Sequence, residues 1–306
     1  MRILHIDTGD EMRGGQYQVL LLLEGLREAS HEAVLLAREG GPLGMAAAAR
    51  GFGVYPADAK ELWRRSRDSA IVHAHDARAH TLSAMAARRK FVVSRRVAFP
   101  VRRSVASLWK YQRAARFLAV SRFVAGELQA AGVRAEKIDV VYDGVEPQAT
   151  APEATGIAWR ADWPAVALAS TDPEKGRDLV AQAAALSGIP VLFSGNLKED
   201  LRRASMLVYI TRSEGLGSAT LLAMSMGVPV IASRIGGLAE VFEEGVSGLY
   251  VQNTAEDIAA AMRGVWSDPA LARGLGEGGK QRIAERFTRE HVVQGTIGSY
   301  ERALAG

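Results

Sequence analysis

Cysteine is missing altogether from these 306 residues. That single absence excludes a disulfide framework, a thiolate zinc site, an iron–sulfur cluster and a cysteine nucleophile. Long apolar runs are missing too. The best of them, at 19–23, ends at Glu24, far short of the roughly 18 residues a membrane-crossing helix needs. The first ten residues carry no apolar signal-peptide core, so a cytoplasmic protein is expected. No G-x-G-x-x-G fingerprint follows the opening strand, and no P-loop occurs, which argues against a nicotinamide dehydrogenase and a P-loop nucleotidase. Acidic residues vanish between Asp76 and Glu127, where 12 Lys and Arg stand, leaving the rest of the chain at a net charge of −8. Such segregation reads either as a solvated basic face or as a surface for an anionic partner, including peripheral contact with a membrane face through residues 77–126. The rest of the chain is net acidic, so no nucleic-acid partner is expected. The five tryptophans, Trp63, Trp109, Trp159, Trp163 and Trp266, read as packing residues.

What is present is ordinary for a globular chain, with 48% hydrophobic and 24% charged residues and a length suited to about two domains. Short apolar runs at 2–6, 32–37, 54–56, 70–75, 91–94, 117–121 and 138–141 read as strands. Between them lie helical stretches at 17–29, 42–49, 63–69, 81–89, 105–115 and 122–131. Residues 144–164 are rich in Pro, Ala and Thr with little periodicity, and a domain boundary is placed there. The second half alternates in the same way and closes with a helix at about 290–304. The expected fold is α/β, with two Rossmann-like domains, 1–150 and 151–306, whose parallel sheets face a central cleft.

Three loops carry chemistry. Arg13, Gly14 and Gly15 join the first strand to the first helix, where bare amides attract an anion, although a plain turn has the same look. Ser213-Glu214-Gly-Leu-Gly217-Ser218-Ala219 runs from a strand into a helix. The amides of Gly217, Ser218 and Ala219 can cradle a phosphate with the helix dipole behind them. Glu214 would be repelled by that phosphate and is assigned to another part of the ligand, such as sugar hydroxyls. Lys175 stands before a helix start, against the dipole, and is suited to a phosphate as a point charge. His73 and His75 share one face of a strand end. Asp76 and His80 lack further ligands at zinc spacing, and no metal is expected.

In order and at similar intervals, the set Gly14-Gly15, His73-Ala-His75-Asp76, Val141-Tyr-Asp-Gly144-Val145, Glu174-Lys175-Gly176, Glu214-Gly-Leu-Gly217, Gly227-Val-Pro229-Val230 and Gly236-Gly237-Leu-Ala-Glu240 resembles the family-4 (group 1) glycosyltransferases of the GT-B fold. The resemblance implies a retaining, metal-independent transferase that takes a nucleotide-diphosphate sugar, UDP- or GDP-linked, as substrate and needs no cofactor. Lys175 and the amides of Gly217, Ser218 and Ala219 would hold the diphosphate. Glu214 would meet the donor sugar, His75 the anomeric centre, and Gly15 the phosphate and acceptor side. Residues 94–100 look like bacterial members that build lipopolysaccharide core or related glycans, which implies that Arg13, Gly14, Arg95 and Arg96 face an anionic glycan or lipid-linked acceptor. The chain departs from the family in three places. Leu222 stands where members carry a ribose-binding glutamate, and Ser170 where they carry an arginine. The stretch between Gly195 and Met206 leaves the second sheet one strand short. These departures keep open an alternative reading, a catalytically impaired relative that acts as a binding or partner subunit.

Overall fold

The computed structural model describes residues 1–101, 104–146 and 162–306. Two units emerge, Met1–Asp143 together with Arg289–Gly306, and Gly144–Thr288. The boundary expected at residue 150 lies outside the described residues, whereas the change of unit falls at Asp143.

The first unit alternates strand and helix throughout: β1 (Arg2–Ile6), α1 (Gly14–Glu28), β2 (Glu32–Ala37), α2 (Pro42–Ala49), β3 (Gly53–Pro56), α3 (Ala59–Ser66), β4 (Ile71–Ala74), α4 (Ala77–Ala86), β5 (Phe91–Arg95), α5 (Val105–Arg113), β6 (Arg116–Ala119), α6 (Arg122–Ala130) and β7 (Ile138–Val140). The inner strands β1, β4, β5 and β6 are largely buried on both faces and accordingly read as mostly apolar runs. All seven strands form one parallel sheet of order β3-β2-β1-β4-β5-β6-β7. From β1 the chain winds outward to β3 and then returns to β1's other side as β4. The winding therefore reverses between β1 and β4, and the loops leaving those two strands splay apart, which is where α/β sheets bind ligands.

The second unit holds β8 (Ala165–Leu168), α7 (Arg177–Ser187), β9 (Val191–Ser194), α8 (Leu197–Asp200), β10 (Met206–Tyr209), α9 (Ser218–Ser225), β11 (Val230–Ser233), β12 (Leu249–Val251), α10 (Ala255–Ser267) and α11 (Pro269–Arg286). Its parallel sheet has five strands, ordered β12-β11-β10-β8-β9. β9 passes through only α8 and a 3-10 turn, Leu201–Arg203, before β10. Winding reverses between β8 and β10, so the loops after those strands form this unit's crevice. Its core gathers Val180, Met206, Val208, Ile231, Ile258 and Met262 between the sheet and its helices.

The last helix, α12 (Arg289–Ala305), belongs to the first unit. Val292, Val293 and Tyr300 enter the apolar cluster of Ile3, Leu22 and Leu26. Asp139 on β7 fixes it further. Its carboxylate accepts from Arg116 at 2.6 and 2.9 Å, from the Ser299 hydroxyl at 2.7 Å and from Arg302 at 3.1 Å.

Two expectations are corrected here. The first helix begins at Gly14, not Tyr17, so the glycine pair forms its first turn rather than a loop ahead of it. Trp63 and Trp109 are both about half exposed rather than packed. An Arg88 guanidinium lies 4.6 Å from the Trp63 ring and that of Arg113 lies 5.4 Å from Trp109.

Candidate functional site

In the first unit the residues gather where β1 and β4 part. Register pairs His5 with His73 across the two strands, and His75 follows one turn of the pleat later on the same face. All three rings are buried, with ring centroids 4.0 to 5.5 Å apart. His73 spends its ring nitrogens on the Tyr300 hydroxyl at 2.7 Å and the Ser94 hydroxyl at 2.8 Å. His5 Nδ1 and His75 Nε2 lie 3.0 Å apart, and Arg96 Nη1 approaches His75 Nδ1 at 3.5 Å. A guanidinium only donates, so His75 Nδ1 accepts and its hydrogen sits on Nε2. That hydrogen goes to His5 Nδ1, which leaves the His5 hydrogen on Nε2, a buried atom with no partner among the described residues. Burial first, then the neighbouring imidazoles and Arg96, hold His73 and His75 well below the usual histidine range, and burial brings His5 down to about 3. The cluster is a neutral, ordered polar layer. Each of the three rings offers one nitrogen within 4.8 Å of those of the other two, and most of these nitrogens are engaged in hydrogen bonds within the cluster.

Arg96 donates to the buried Asp143 at 2.9 Å, so a cation stands beside His75 with its charge half answered. Arg95 does not join it. Neighbouring strand residues point oppositely, and its guanidinium goes to the Tyr111 hydroxyl at 3.0 Å and the Phe99 carbonyl. Asp76 caps α4 through the amides of Arg78 and Ala79, both at 2.8 Å, and holds the Thr8 hydroxyl at 2.9 Å. His80 turns away to the Lys110 carbonyl, so Asp76 and His80 form no ligand pair. The Arg13 side chain is exposed and pairs with Glu11 at 2.7 Å. Around Gly15 the backbone is open, with nothing within 4 Å of where a Cβ would lie.

Asp7, at the end of β1, carries no signal in the sequence beyond its place in the opening strand. It is buried and accepts from the Gly9 amide at 2.9 Å and from Gln16 at 3.2 Å. Burial raises its pKa, against the Gly9 hydrogen bond and helped by Asp76. It stands at the mouth of the β1–α1 loop, beside the glycine pair.

The second unit gathers a group of its own. After β8 the chain makes a 3-10 turn, Pro173–Lys175, and Gly176 then opens α7 in the left-handed region. After β10 it reaches Glu214, and Gly217 at φ +97° caps α9. Thr220 is the first α9 amide to find an acceptor in the turn, the Gly217 carbonyl at 3.0 Å. The earlier amides of Gly217, Ser218 and Ala219 lie at the dipole's positive end. Lys175 Nζ contacts Glu214 Oε2 at 2.8 Å, and the Tyr209 hydroxyl donates to the same oxygen at 2.5 Å. The Glu214 backbone is pinned from the other side. The Gly237 amide donates to its carbonyl at 3.1 Å, and a side chain at Gly236, φ +52°, would strike that carbonyl. Cation, carboxylate and helix start thus meet at one switch point. Leu222 lies half-buried on α9, and the Ser170 hydroxyl accepts from the Asp172 amide at 3.2 Å.

Tyr209 is a site residue that sequence reading missed. It is the last residue of a buried strand and looks like core. Burial first, then Glu214, pushes its hydroxyl well above the usual tyrosine range, so it is a fixed donor. Removing it takes away a hydrogen bond to a charged group, worth about 1.5–3 kcal/mol. Tyr209→Phe is therefore expected to lower the unfolding free energy of the second unit by about 1.5–3 kcal/mol, as read by urea titration.

Comparison with known proteins gives the family and the fold. Residues 12–149 match Glycosyltransferase Family 4 and residues 157–268 match Glycosyl transferases group 1. The alpha-maltose-1-phosphate synthase of Mycobacterium tuberculosis is 32% identical over 118 residues, 36% of this chain and 30% of that protein. The D-inositol 3-phosphate glycosyltransferase of Acidothermus cellulolyticus is 33% identical over 139 residues, 44% of this chain and 31% of that protein. The matches thus span less than a third of those relatives' length. Among solved structures, Anabaena Alr3699/HepE in complex with UDP and glucose superposes with a TM-score of 0.84 at 17% identity, covering 98% of this chain and 99% of that one. The lipopolysaccharide outer core galactosyltransferase WaaB superposes with a TM-score of 0.71 at 17% identity, covering 98% and 99%. Two parallel-sheet Rossmann-like units match the GT-B fold of those structures. With both halves of the chain matched, the protein belongs to the group 1, family-4 glycosyltransferases.

Proposed function

We propose that the protein moves a hexose-type sugar from a nucleotide-diphosphate donor, UDP- or GDP-linked, to a hydroxyl of a glycan or lipid-linked acceptor. Configuration would be retained, no metal would be needed, and the product would be a cell-envelope glycan made in the cytoplasm. The observation that carries the reading is the second unit's switch point. Lys175 and the bare amides at the start of α9 suit two linked phosphates, and Glu214 beside them suits sugar hydroxyls. That an Anabaena protein of the same fold holds UDP and glucose supports a UDP-linked donor.

In the proposed step the bond between the anomeric carbon and the phosphate oxygen breaks. The acceptor oxygen bonds to that carbon on the same face, and its proton passes to the departing phosphate. Positive charge on the leaving group is then the main requirement, and Lys175 with the helix dipole supplies it. Nothing in this account asks His75 to ionise, in keeping with its neutral environment. The residues around it, Arg96, Asp143 and Asp7, are assigned to the acceptor.

Calorimetric titration with UDP, GDP and ADP and their glucose conjugates, with and without EDTA, tests the proposal. At least one diphosphate is expected to bind in the micromolar to millimolar range, unaffected by the chelator, with slow donor hydrolysis. No binding to any of them at millimolar concentration overturns it. Leu222 gives one observation for a second reading. An aliphatic side chain on α9 cannot accept a hydrogen bond from a ribose, which costs roughly tenfold in donor affinity. Nucleotide binding without turnover on any acceptor would make the chain a binding subunit of this family.

A further inference from the structure

We infer that two copies of this chain pair antiparallel along β9, so that the sheet of the second unit continues across a twofold axis into that of the other copy. β9 is the end strand of its sheet. The short passage to β10, through α8 and a 3-10 turn, adds no strand beyond it. The Ala165 amide donates to the Pro190 carbonyl at 2.9 Å and the Ala169 amide to the Ser194 carbonyl at 3.0 Å. Register sets Val166 opposite Leu192. Period two then turns the backbone of 190, 192 and 194 toward β8, and the N–H and carbonyl groups of Val191 and Phe193 outward. Those outward groups have no hydrogen-bond partner among the described residues. Pro190 does not protect them, because its missing N–H lies on the β8 side. No charged residue occurs from 179 to 197. Val191 and Phe193 pack their side chains against the core beneath α7 and α10. The Arg177 guanidinium lies over the Phe193 ring on that side, 4.9 Å from its centre. Leu192 faces the other way and is 41% exposed.

The other described edges are guarded. On β12 the Tyr250 amide donates to the Glu244 carboxylate at 3.2 Å. β3 ends in Pro56, and the Arg65 guanidinium lies against its Tyr55 ring. β7 carries the charge of Asp139 and is tied by it to Ser299 and Arg302 of α12. Folded chains protect edges in these ways because a bare edge adds a strand from whatever chain offers one. A bare β9 therefore finds one match in a second copy, another β9. Pairing of β9 with β12, which would run on into a fibre, is opposed by Glu244. Two identical edges pair about a twofold axis, and that arrangement closes at two copies. With Leu192 on the axis, Val191 of each copy stands opposite Phe193 of the other, and each such pair exchanges both of its backbone hydrogen bonds. The two Leu192 side chains meet as the close, non-hydrogen-bonded pair. The uncharged run meets its own copy without like-charge repulsion.

The inference does not rest on the proposed function. Sedimentation equilibrium of the full chain, without ligand, at about 1 to 200 µM is expected to show a monomer–dimer equilibrium with a Kd of about 1–100 µM. Leu192→Lys sets two ammonium groups on the axis. Val191→Pro removes an outward N–H and leaves every bond to β8 in place. Each should weaken the dimer at least tenfold, with an unchanged far-ultraviolet spectrum. The chain has no cysteine, so Leu192→Cys introduces a single thiol. Pairing on the axis brings two of them within disulfide reach, and diamide should link the copies. Val246→Cys, at a comparably exposed apolar position (52%) of the same unit, should stay unlinked. A purely monomeric chain at about 200 µM, a dimer that both variants leave intact, or assembly beyond two copies overturns the inference. Linking of Val246→Cys as fast as Leu192→Cys does so too. So does slow amide exchange at Val191 and Phe193 in a monomer, which would mean that the edge is covered from within its own chain. The dimer forms or fails whether or not UDP binds, so this inference and the transferase reading fall separately.

Discussion

Lys175→Ala is expected to weaken UDP binding by about 30-fold or more, whereas Glu214→Gln is expected to leave it unchanged or make it tighter. The two side chains share one partly buried contact, 27% and 16% exposed, at 2.8 Å. Without ligand they neutralise each other. A diphosphate adds negative charge to this group, so it needs Lys175 and is opposed by Glu214. Loss of a charge-assisted bond costs about 1.5–3 kcal/mol, roughly 10- to 150-fold. Lys175→Ala also strips Glu214 of its counter-ion and leaves an anion facing the phosphates. Glutamine keeps the shape of glutamate and its acceptor oxygen without the charge.

The double variant Lys175→Ala/Glu214→Gln should therefore bind UDP more tightly than Lys175→Ala alone. Turnover orders the variants differently. Glu214→Gln should lose at least 10-fold in kcat on the sugar nucleotide if, as proposed, it meets the sugar hydroxyls. Calorimetry on the four proteins gives the coupling energy directly. If Lys175→Ala binds UDP like the parent, or Glu214→Gln weakens UDP alone as much as the sugar nucleotide, the division of labour between the pair is wrong.

The alternation of strand and helix was legible because strands buried on both faces read as unbroken apolar runs, and Ile71–Ala74, Met206–Tyr209 and Val230–Ser233 are all of this kind. The meeting of Lys175, Glu214 and the start of α9 was legible as well, since these residues sit in loops with their own signatures. Other features depend on distant pairing. His5 meets His75 across 70 residues, and Tyr300 meets His73 across 227. Tyr209 faces Glu214 only because β10 ends where its loop folds back. Helical period shows that Val105, Leu108 and Trp109 share a face, but it does not tell which face turns inward. Gly14 and Gly15, poor helix formers, masked the true start of α1.

Acid is expected to unfold the first unit well before the second. All six histidines, at 5, 31, 73, 75, 80 and 291, lie in the first unit. Burial, with a further push from Lys110 for His80, brings His5 and His80 down to about 3 in the folded chain. His73 and His75 are displaced the same way. In the unfolded chain each takes a proton near pH 6.5. The unfolded state thus binds more protons below that value. Stability is complete above about pH 6.5 and falls as the pH drops toward 3. At pH 4.5, His5 and His80 alone cost about 5 kcal/mol together at ~1.4 kcal/mol per pH unit each, comparable to a domain's whole stability. Asp7, whose carboxyl burial raises, works in the opposite direction, but as one group against four. Urea titrations at pH 7 and 4.5 should show the transition sensed by Trp63 and Trp109 moving to much lower urea, while that sensed by Trp163 and Trp266 moves little. His80 sits 4.9 to 5.9 Å from the rings of Phe91, Tyr111 and Phe117, a site that suits phenylalanine. His80→Phe should consequently shift the acid midpoint of the first unit downward. Equal acid sensitivity of the two units, or a first unit that gains stability on acidification, would mean that these rings take up protons without unfolding and that the polar layer beneath His75 is open to water.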